Sequence, residues 1–379
     1  MIALARKTLI YEWRRFLPVV LAMCFAGVLL IVQAALVLGI FGTAAIYVKA
    51  STADIWAGFP GTQSVNYGHA IGADVENQLR MDPDVTRVEP YEWVDGEWTS
   101  TQGGTGTLSV YLSGISTHAD AMMFARILPA DLRAALREPG AVIVDSADLD
   151  TLGVDMRDGR AWINNRQVRV VAALPGLRGL GGVNVLASLD TARGVAGTDP
   201  HEGSTYFVAG VRDPAQADRV RERLSASTGR ATPVQMWTAS EFASRSQQYW
   251  LLDTGAGIAV LFMAIIVCFV GAVITNQAFA SVVAGSVREY ATLNALGAGR
   301  YALARVVVEQ ALLIGGAGTL LAAILSAGVL ALAAWQRVPV QLTPGVVLGC
   351  VGLVVLMALL SSIMAVRSVV RSDPSLLLR

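Results

Sequence analysis

The stretch SVREYATLNALGAGRY, Ser286–Tyr301, decides how the chain is read, because it interrupts the most hydrophobic part of the sequence. Uncharged sequence runs from Thr254 to Val287 before it and from Gln310 to Gln336 after it, yet Arg288, Glu289 and Arg300 stand within it around a Gly-Ala-Gly closure. A helix from Val287 to Leu296 sets Tyr290, Leu293 and Leu296 three residues apart, an apolar stripe with Glu289 beside it, and Gly297 supplies a left-handed stop. Such a stripe either rests on lipid or inserts into a groove of another protein, and spacing alone does not choose between them.

Working outward, composition sets the frame. A chain of 379 residues with 54% hydrophobic and only 15% charged residues, at a mean hydropathy of +0.52, is too apolar for an ordinary soluble enzyme. Charges concentrated in its middle imply one sizeable aqueous domain. Lys plus Arg and Asp plus Glu both number 29, which leaves no basic surplus for a nucleic acid partner. Cys24, Cys268 and Cys350 all fall in apolar runs and read as small hydrophobes, not as a disulfide framework.

A membrane span needs about 20 apolar residues for roughly 30 Å of hydrocarbon. Four segments meet that length: residues 16–48, 251–285, 303–335 and 344–366. Arginines crowd the flanks before the first, between the second and third, and after the fourth, whereas Arg337 alone marks the other short loop. The expected topology is therefore a cytoplasmic interfacial helix at 1–15, an extracytoplasmic domain at 49–250, a cytoplasmic loop at 286–300 and a cytoplasmic tail at 367–379. Residues 16–48 are far too long for the apolar core of a cleaved signal peptide, and Met23 fits poorly where LAMC would need a small residue for lipoprotein processing. Tyr11 and Trp13 are expected at headgroup depth.

The outward domain reads as α+β. Asp54–Phe59, Arg87–Trp98, Leu108–Ile115, Val142–Asp145, Ala161–Leu174 and Thr205–Val211 are strand-like, with Asn164-Asn165 as a two-residue hairpin turn. Ile71–Arg80 and Ala215–Ser225 are helical by apolar spacing, the second opened by Asp213-Pro214. Strand, helix, strand thus occurs near Ala53–Trp98 and again over Ser204–Met236, and the two units are expected to pair into a ferredoxin-like body with Leu108–Arg193 inserted.

Nothing in this domain assembles catalysis. His69, His118 and His201 are far apart and lack metal-ligand spacing, so they read as surface or loop histidines. The stretch GLRGLGGVN, Gly176–Asn184, lacks the order of a dinucleotide fingerprint and reads as a flexible loop. Lys7 and Lys49 are the only lysines and neither follows a P-loop pattern, so the chain itself is expected to hydrolyse no nucleotide and to hold no cofactor or metal. The TASE box at Thr238–Glu241 and the lack of proline as far as Val338 suggest one helix running on to about Gly285, a rod of about 65 Å.

The run REYATLNALGAGRYALARVVVEQALL resembles the loop and third-span start of ABC-transporter permeases of the FtsX-like or MacB-like superfamily, as do the order of spans and the tail SDPSLLLR. Within it, EFASRSQQYW before the second span and REYATLNALG after it are most similar to DevC-type permeases, membrane subunits related to the heterocyst glycolipid exporter. The likeness covers most of the chain, is specific over Glu241–Glu309 and weak over Leu108–Thr232. It implies a coupling helix that docks on a separate ABC ATPase subunit, a role carried to Arg288, Glu289, Tyr290, Leu293, Leu296 and Gly297. It also implies a homodimer of the chain in the inner membrane, joined to a periplasmic adaptor protein. Gly27, Gly39, Gly257 and Gly271 are the expected close-approach positions of that dimer. Three functions stay open: an export subunit for a lipid-like cargo, a mechanotransmitter that drives an outer enzyme without moving substrate, and a sensor that signals inward.

Overall fold

Uncharged sequence that must satisfy its own backbone becomes helix. The computed structural model, which describes residues 11, 13–100, 107–199, 202–227, 233–285, 300–336 and 338–371, has such helices at Trp13–Gly42, Gly255–Gly285, Arg300–Trp335 and Pro344–Arg371. Among the described residues, three are long and apolar enough to cross a membrane: Trp13–Lys49, Gly255–Val282 and Leu312–Trp335. Within the described residues the apolar part of the last helix, Pro344–Leu360, is shorter than a crossing needs.

The chain divides into two units, Met1–Gly39 with Ile258–Arg379, and Ile40–Gly257. In the first, Phe16, Val19, Met23 and Leu30 of the opening helix pack against Ile314, Val354, Met357 and Ala358. Glycines let the helices approach: a Cβ on Gly27 would lie 2.7 Å from the Ala322 methyl, and one on Gly271 would lie 3.1 Å from that of Ala26. Gly39 is closed off by the backbone of Pro339, and Gly257, in the second unit, by the carbonyls of Trp250 and Leu251. The four glycines expected at a dimer interface are therefore filled from within the chain, because close-packing glycines serve whichever neighbour reaches them first.

Among its described residues the second unit holds nine strands, β1 Ile55–Gly58, β2 Val85–Ser100, β3 Leu108–Ile115, β4 Ala141–Asp145, β5 Arg160–Ile163, β6 Arg166–Leu174, β7 Val183–Ser188, β8 Tyr206–Val211 and β9 Gln235–Thr238. Strands β9, β1, β8 and the first half of β2 lie side by side, all antiparallel, with helices Asp74–Arg80 and Ala217–Ser227 as the crossovers. This is the ferredoxin-like pairing expected of two strand-helix-strand units. Side chains alternate across the pleat. Ile55, Ala57, Val88, Phe207, Ala209 and Met236 meet Val75, Leu79, Val220 and Leu224 of the two helices, while Trp56, Tyr91, Tyr206 and Trp237 face the other way. Pro90 is tolerated in β2 because the first half of that strand has a neighbour on one side only.

The second half of β2 enters a different sheet. It pairs with β3, β3 with β7, β7 with β4, β4 with β6, β6 with β5, and β5 with β2 again. The inserted segment, expected only to contain strands, thus closes a six-stranded barrel on β2. Trp98, Val110, Leu112, Val142, Val144, Ile163, Val168 and Val185 fill it, branched side chains matched to a ring too small to hold water. The β5–β6 turn is Asn164-Asn165 as expected, with φ of +46° and +62°.

Candidate functional site

The residues assigned to ATPase docking, Arg288, Glu289, Tyr290, Leu293, Leu296 and Gly297, lie outside the described residues. The described candidate is the place in the second unit where the chain enters from the opening helix and leaves toward the Gly255–Gly285 helix. Entry is by the short helix Ile46–Lys49, exit by Ala239–Gln248, and the two pack on each other. The exit helix starts where the TASE box predicts, with Thr238 Oγ1 accepting from the Glu241 N–H at 3.3 Å. Phe242, buried on its inner face, stacks on Trp237 with ring centroids 4.7 Å apart and planes at 9°. Trp56 completes this cluster against Tyr91, Tyr206 and Phe242, so both helices are rooted in a buried aromatic floor. Burial holds the Tyr91 and Tyr206 hydroxyls well above their ordinary pKa.

After Gln248 the helix widens into a π-helical turn, Tyr249–Asp253, and then stops: Thr254 is extended, at φ −98° and ψ +145°. Its hydroxyl donates to the Trp250 carbonyl at 2.6 Å and accepts from the Gly257 N–H at 3.1 Å, ending one helix and capping the next. The continuous rod expected from the absence of proline is therefore two helices. A threonine whose hydroxyl competes for backbone groups, followed by glycines, breaks a helix without proline.

The π-helical turn aims Trp250 into the body of the unit. Its indole N–H donates to Ser64 Oγ at 3.2 Å, and its ring stacks with Tyr67 at 6.1 Å and 30°. Its far edge touches the glycine-rich segment: a Cβ on Gly181 would lie 3.1 Å from it. That segment is anchored throughout. Leu177 N–H donates to buried Asp145 at 2.7 Å, Arg178 pairs with Asp148 at 2.8 Å, Asn66 donates to the Leu180 carbonyl at 3.1 Å and Tyr111 to that of Gly181 at 3.2 Å. The flexible loop expected over Gly176–Asn184 is thus a packed one. Crowding calls for glycine at 182, where a Cβ would lie 2.8 Å from the Tyr111 ring, and left-handed backbone calls for it at 176 and 181, at φ of +88° and +96°. Burial raises the Tyr67 and Tyr111 pKa values and that of the nearby Asp95 carboxyl.

One tryptophan from the turn before an apolar helix is therefore gripped by the loop after β1 in the ferredoxin-like sheet and by the loop between β6 and β7 of the barrel. What this arrangement does chemically is hold, by stacking, one indole hydrogen bond and shape. His69, set edge-on to Phe59 at 5.5 Å, lines a 310 Å³ cleft with Tyr67 and Tyr249, and His118 stands in a turn; His201 is outside the described residues. Sequence reasoning quoted the Tyr249-Trp250 pair as part of a family motif but assigned it no partner. The available signal was an aromatic pair placed just before an apolar run.

No curated protein matches the chain. Among solved structures it is similar to the periplasmic region of MacB from Actinobacillus actinomycetemcomitans, at 12% identity and a TM-score of 0.33 over 51% of this chain and 92% of that one. It is similar also to the extracellular domain of the noncanonic ABC-type transporter YknZ from Gram-positive bacteria, at 12% identity and 0.33 over 49% and 100%. A domain of a putative permease protein from Porphyromonas gingivalis follows at 10% identity and 0.28 over 49% and 87%. It is residues 261–374, less than a third of the chain, that match a described family, the FtsX-like permease C-terminal domain.

Proposed function

We propose that the chain is the membrane subunit of an ABC-type export complex, closest to the DevC type, working as a homodimer with a separate ATPase and a periplasmic adaptor. The match of residues 261–374 to the FtsX-like permease C-terminal domain carries this reading, because it spans the loop 286–299 and the helices on both sides of it. In the proposed topology the chain crosses the bilayer four times, the arginine-rich flanks lie in the cytoplasm and residues 49–250 face outward. Movement of the ATPase reaches loop 286–299, then the Gly255–Gly285 helix, then Trp250 and both sheets of the outer unit. A lipid-like cargo suits a chain whose helices expose large apolar side chains such as Phe262, Phe269 and Leu320.

A second reading, transmission of force to an outer enzyme without transport, is favoured by the build of the Trp250 joint. Stacking and hydrogen bonds to two sheets suit a lever whether or not cargo moves.

The test is Leu293→Asp in the full chain, purified with its ATPase. A buried anchor replaced by a charge is expected to weaken ATPase binding by about 2 kcal/mol or more while membrane insertion persists. If complex recovery and coupled hydrolysis stay at the level of the unaltered protein, residues 288–297 rest on lipid and the docking assignment is wrong.

A further inference from the structure

We propose that the glycine-rich segment Gly176–Gly182 is where both stems of the second unit deliver motion into the barrel, the entry helix through Tyr47 and the exit turn through Trp250. The inference rests on reading the chain as an ATPase-driven lever, and it makes Tyr47 and Gly179 positioning residues for that lever. The contact itself stands on geometry within the second unit.

Tyr47 belongs to the entry helix Ile46–Lys49 and is wholly buried. Its ring meets Phe124 edge-on, with centroids 6.4 Å apart and planes at 85°, in the same core as Trp56, Tyr91 and Leu177. Its hydroxyl lies by the Trp93 indole but makes no hydrogen bond of good geometry. A buried hydroxyl left so is costly, and phenylalanine would fill the core without that cost. What the oxygen adds is reach: a Cβ built on Gly179 would lie 2.5 Å from it and 3.1 Å from Cζ. Gly179 is not in left-handed backbone, so it is Tyr47 that excludes a side chain there. Two residues on, a Cβ on Gly181 would meet the far edge of Trp250 at 3.1 Å. One short segment thus abuts the chain on its way in and on its way out.

The same segment is tied to three strands of the barrel. The Leu177 N–H donates to Asp145 at the end of β4, and the Leu177 carbonyl accepts from Asn184 Nδ2 of β7 at 3.0 Å. Asn184 Oδ1 accepts from Ser113 Oγ of β3 at 2.8 Å, and Ser113 Oγ in turn meets the Tyr91 hydroxyl of the aromatic floor at 3.0 Å. All five residues are buried, so a push on the segment is met by packed, hydrogen-bonded neighbours and not by water.

The experiment uses the full chain in lipid nanodiscs, with the ATPase that co-purifies with it, and compares Tyr47→Phe, Gly179→Ala and Tyr47→Phe/Gly179→Ala. Gly179→Ala overfills the contact and is expected to speed amide hydrogen exchange at residues 177–182 about tenfold. Tyr47→Phe opens a gap there and leaves the core ring in place: its unfolding midpoint is expected to stay within about 1 °C of the parent while coupled hydrolysis falls by about half. In the double variant the alanine methyl takes the space left by the hydroxyl, so exchange and coupled hydrolysis should both return to within about twofold of the parent. Full coupling in Tyr47→Phe, or no recovery in the double variant, overturns the positioning role. Because one segment serves both stems, Tyr47→Phe/Trp250→Phe should couple no worse than the poorer of its two single variants; losses that multiply would reveal two separate routes and overturn the shared segment. Retention of the complex by Leu293→Asp would sink the docking reading separately, leaving the exchange result to judge the contact.

Discussion

Glu92 and Arg193 meet at 3.1 Å where β2 passes from the ferredoxin-like sheet into the barrel. The carboxylate also accepts from the Thr205 N–H at 3.2 Å and the Thr205 hydroxyl at 3.1 Å, while Arg193 reaches Ser204 Oγ at 2.9 Å. Arg193 comes from the helix Leu189–Ala196 that leans on the barrel, and Thr205 leads into β8 of the other sheet, so one ion pair stitches both sheets at their crossing. Both side chains are largely sequestered, Glu92 at 9% and Arg193 at 14% exposure.

Removing one partner leaves the other charged and shielded from water. Glu92→Ala is expected to destabilise the chain by about 3 kcal/mol, and Glu92→Gln/Arg193→Met together to recover most of that loss. Urea unfolding followed by tryptophan fluorescence reads it directly, because six of the eight tryptophans lie between Trp56 and Trp250. A single-variant cost below about 1 kcal/mol would reduce the pair to a surface contact.

For the joint, a graded pair of substitutions separates its parts. Trp250→Phe keeps a ring for Tyr67 and loses the bond to Ser64, a change of about 1 kcal/mol. Trp250→Ala loses both, about 2 kcal/mol or more. Coupled ATP hydrolysis is expected to fall in the same order, and equal coupling in all three proteins would show that force takes another route.

Acid should weaken the ferredoxin-like half at an identifiable place. Arg223 grips Asp82 with two hydrogen bonds, of 2.7 and 2.6 Å, and these hold the carboxyl below its ordinary value of 3.8. A depressed folded-state pKa means stability fully present above 3.8 and lost as pH falls through the lower folded value. Glu89 works in the opposite sense, since burial raises it above 4.5: its contribution is fully present below 4.5 and is lost as pH rises through the folded value. Unfolding midpoints measured from about pH 5 to pH 2 should therefore drop in the parent chain and drop less in Asp82→Asn.

Much of this was legible because local chemistry encodes it. Asn164-Asn165 needed left-handed backbone and Asp213 caps the turn before its helix, while β1 and β8, buried on both faces, send alternate side chains to the helices and to the aromatic floor. The barrel was not legible, because it closes through the parallel pairs β3–β7 and β4–β6, whose partners are far apart in the chain and leave no mark in either strand alone. The continuous rod to Gly285 and the flexible loop over Gly176–Asn184 were misread because composition was taken for structure: the Thr254 hydroxyl interrupts the helix without any proline, and hydrogen bonds from Leu177, Asn66 and Tyr111 hold the glycine-rich segment. The proposed docking residues 288–297 lie outside the described residues and were suggested only by a resemblance to permeases.

The barrel occupies a place in the chain that a tight turn would otherwise fill. Strands β2 and β8 are antiparallel neighbours, and their last paired residues before it are Tyr91 and Tyr206. Everything from Glu92 to Thr205 leaves and returns through two adjacent positions, the geometry that lets one domain be spliced into another without disturbing its host. An exchanged module would have to bring its own counterparts of Met123, Phe124 and Leu177, which pack among the host's Trp56, Tyr91 and Tyr206 in one shared core.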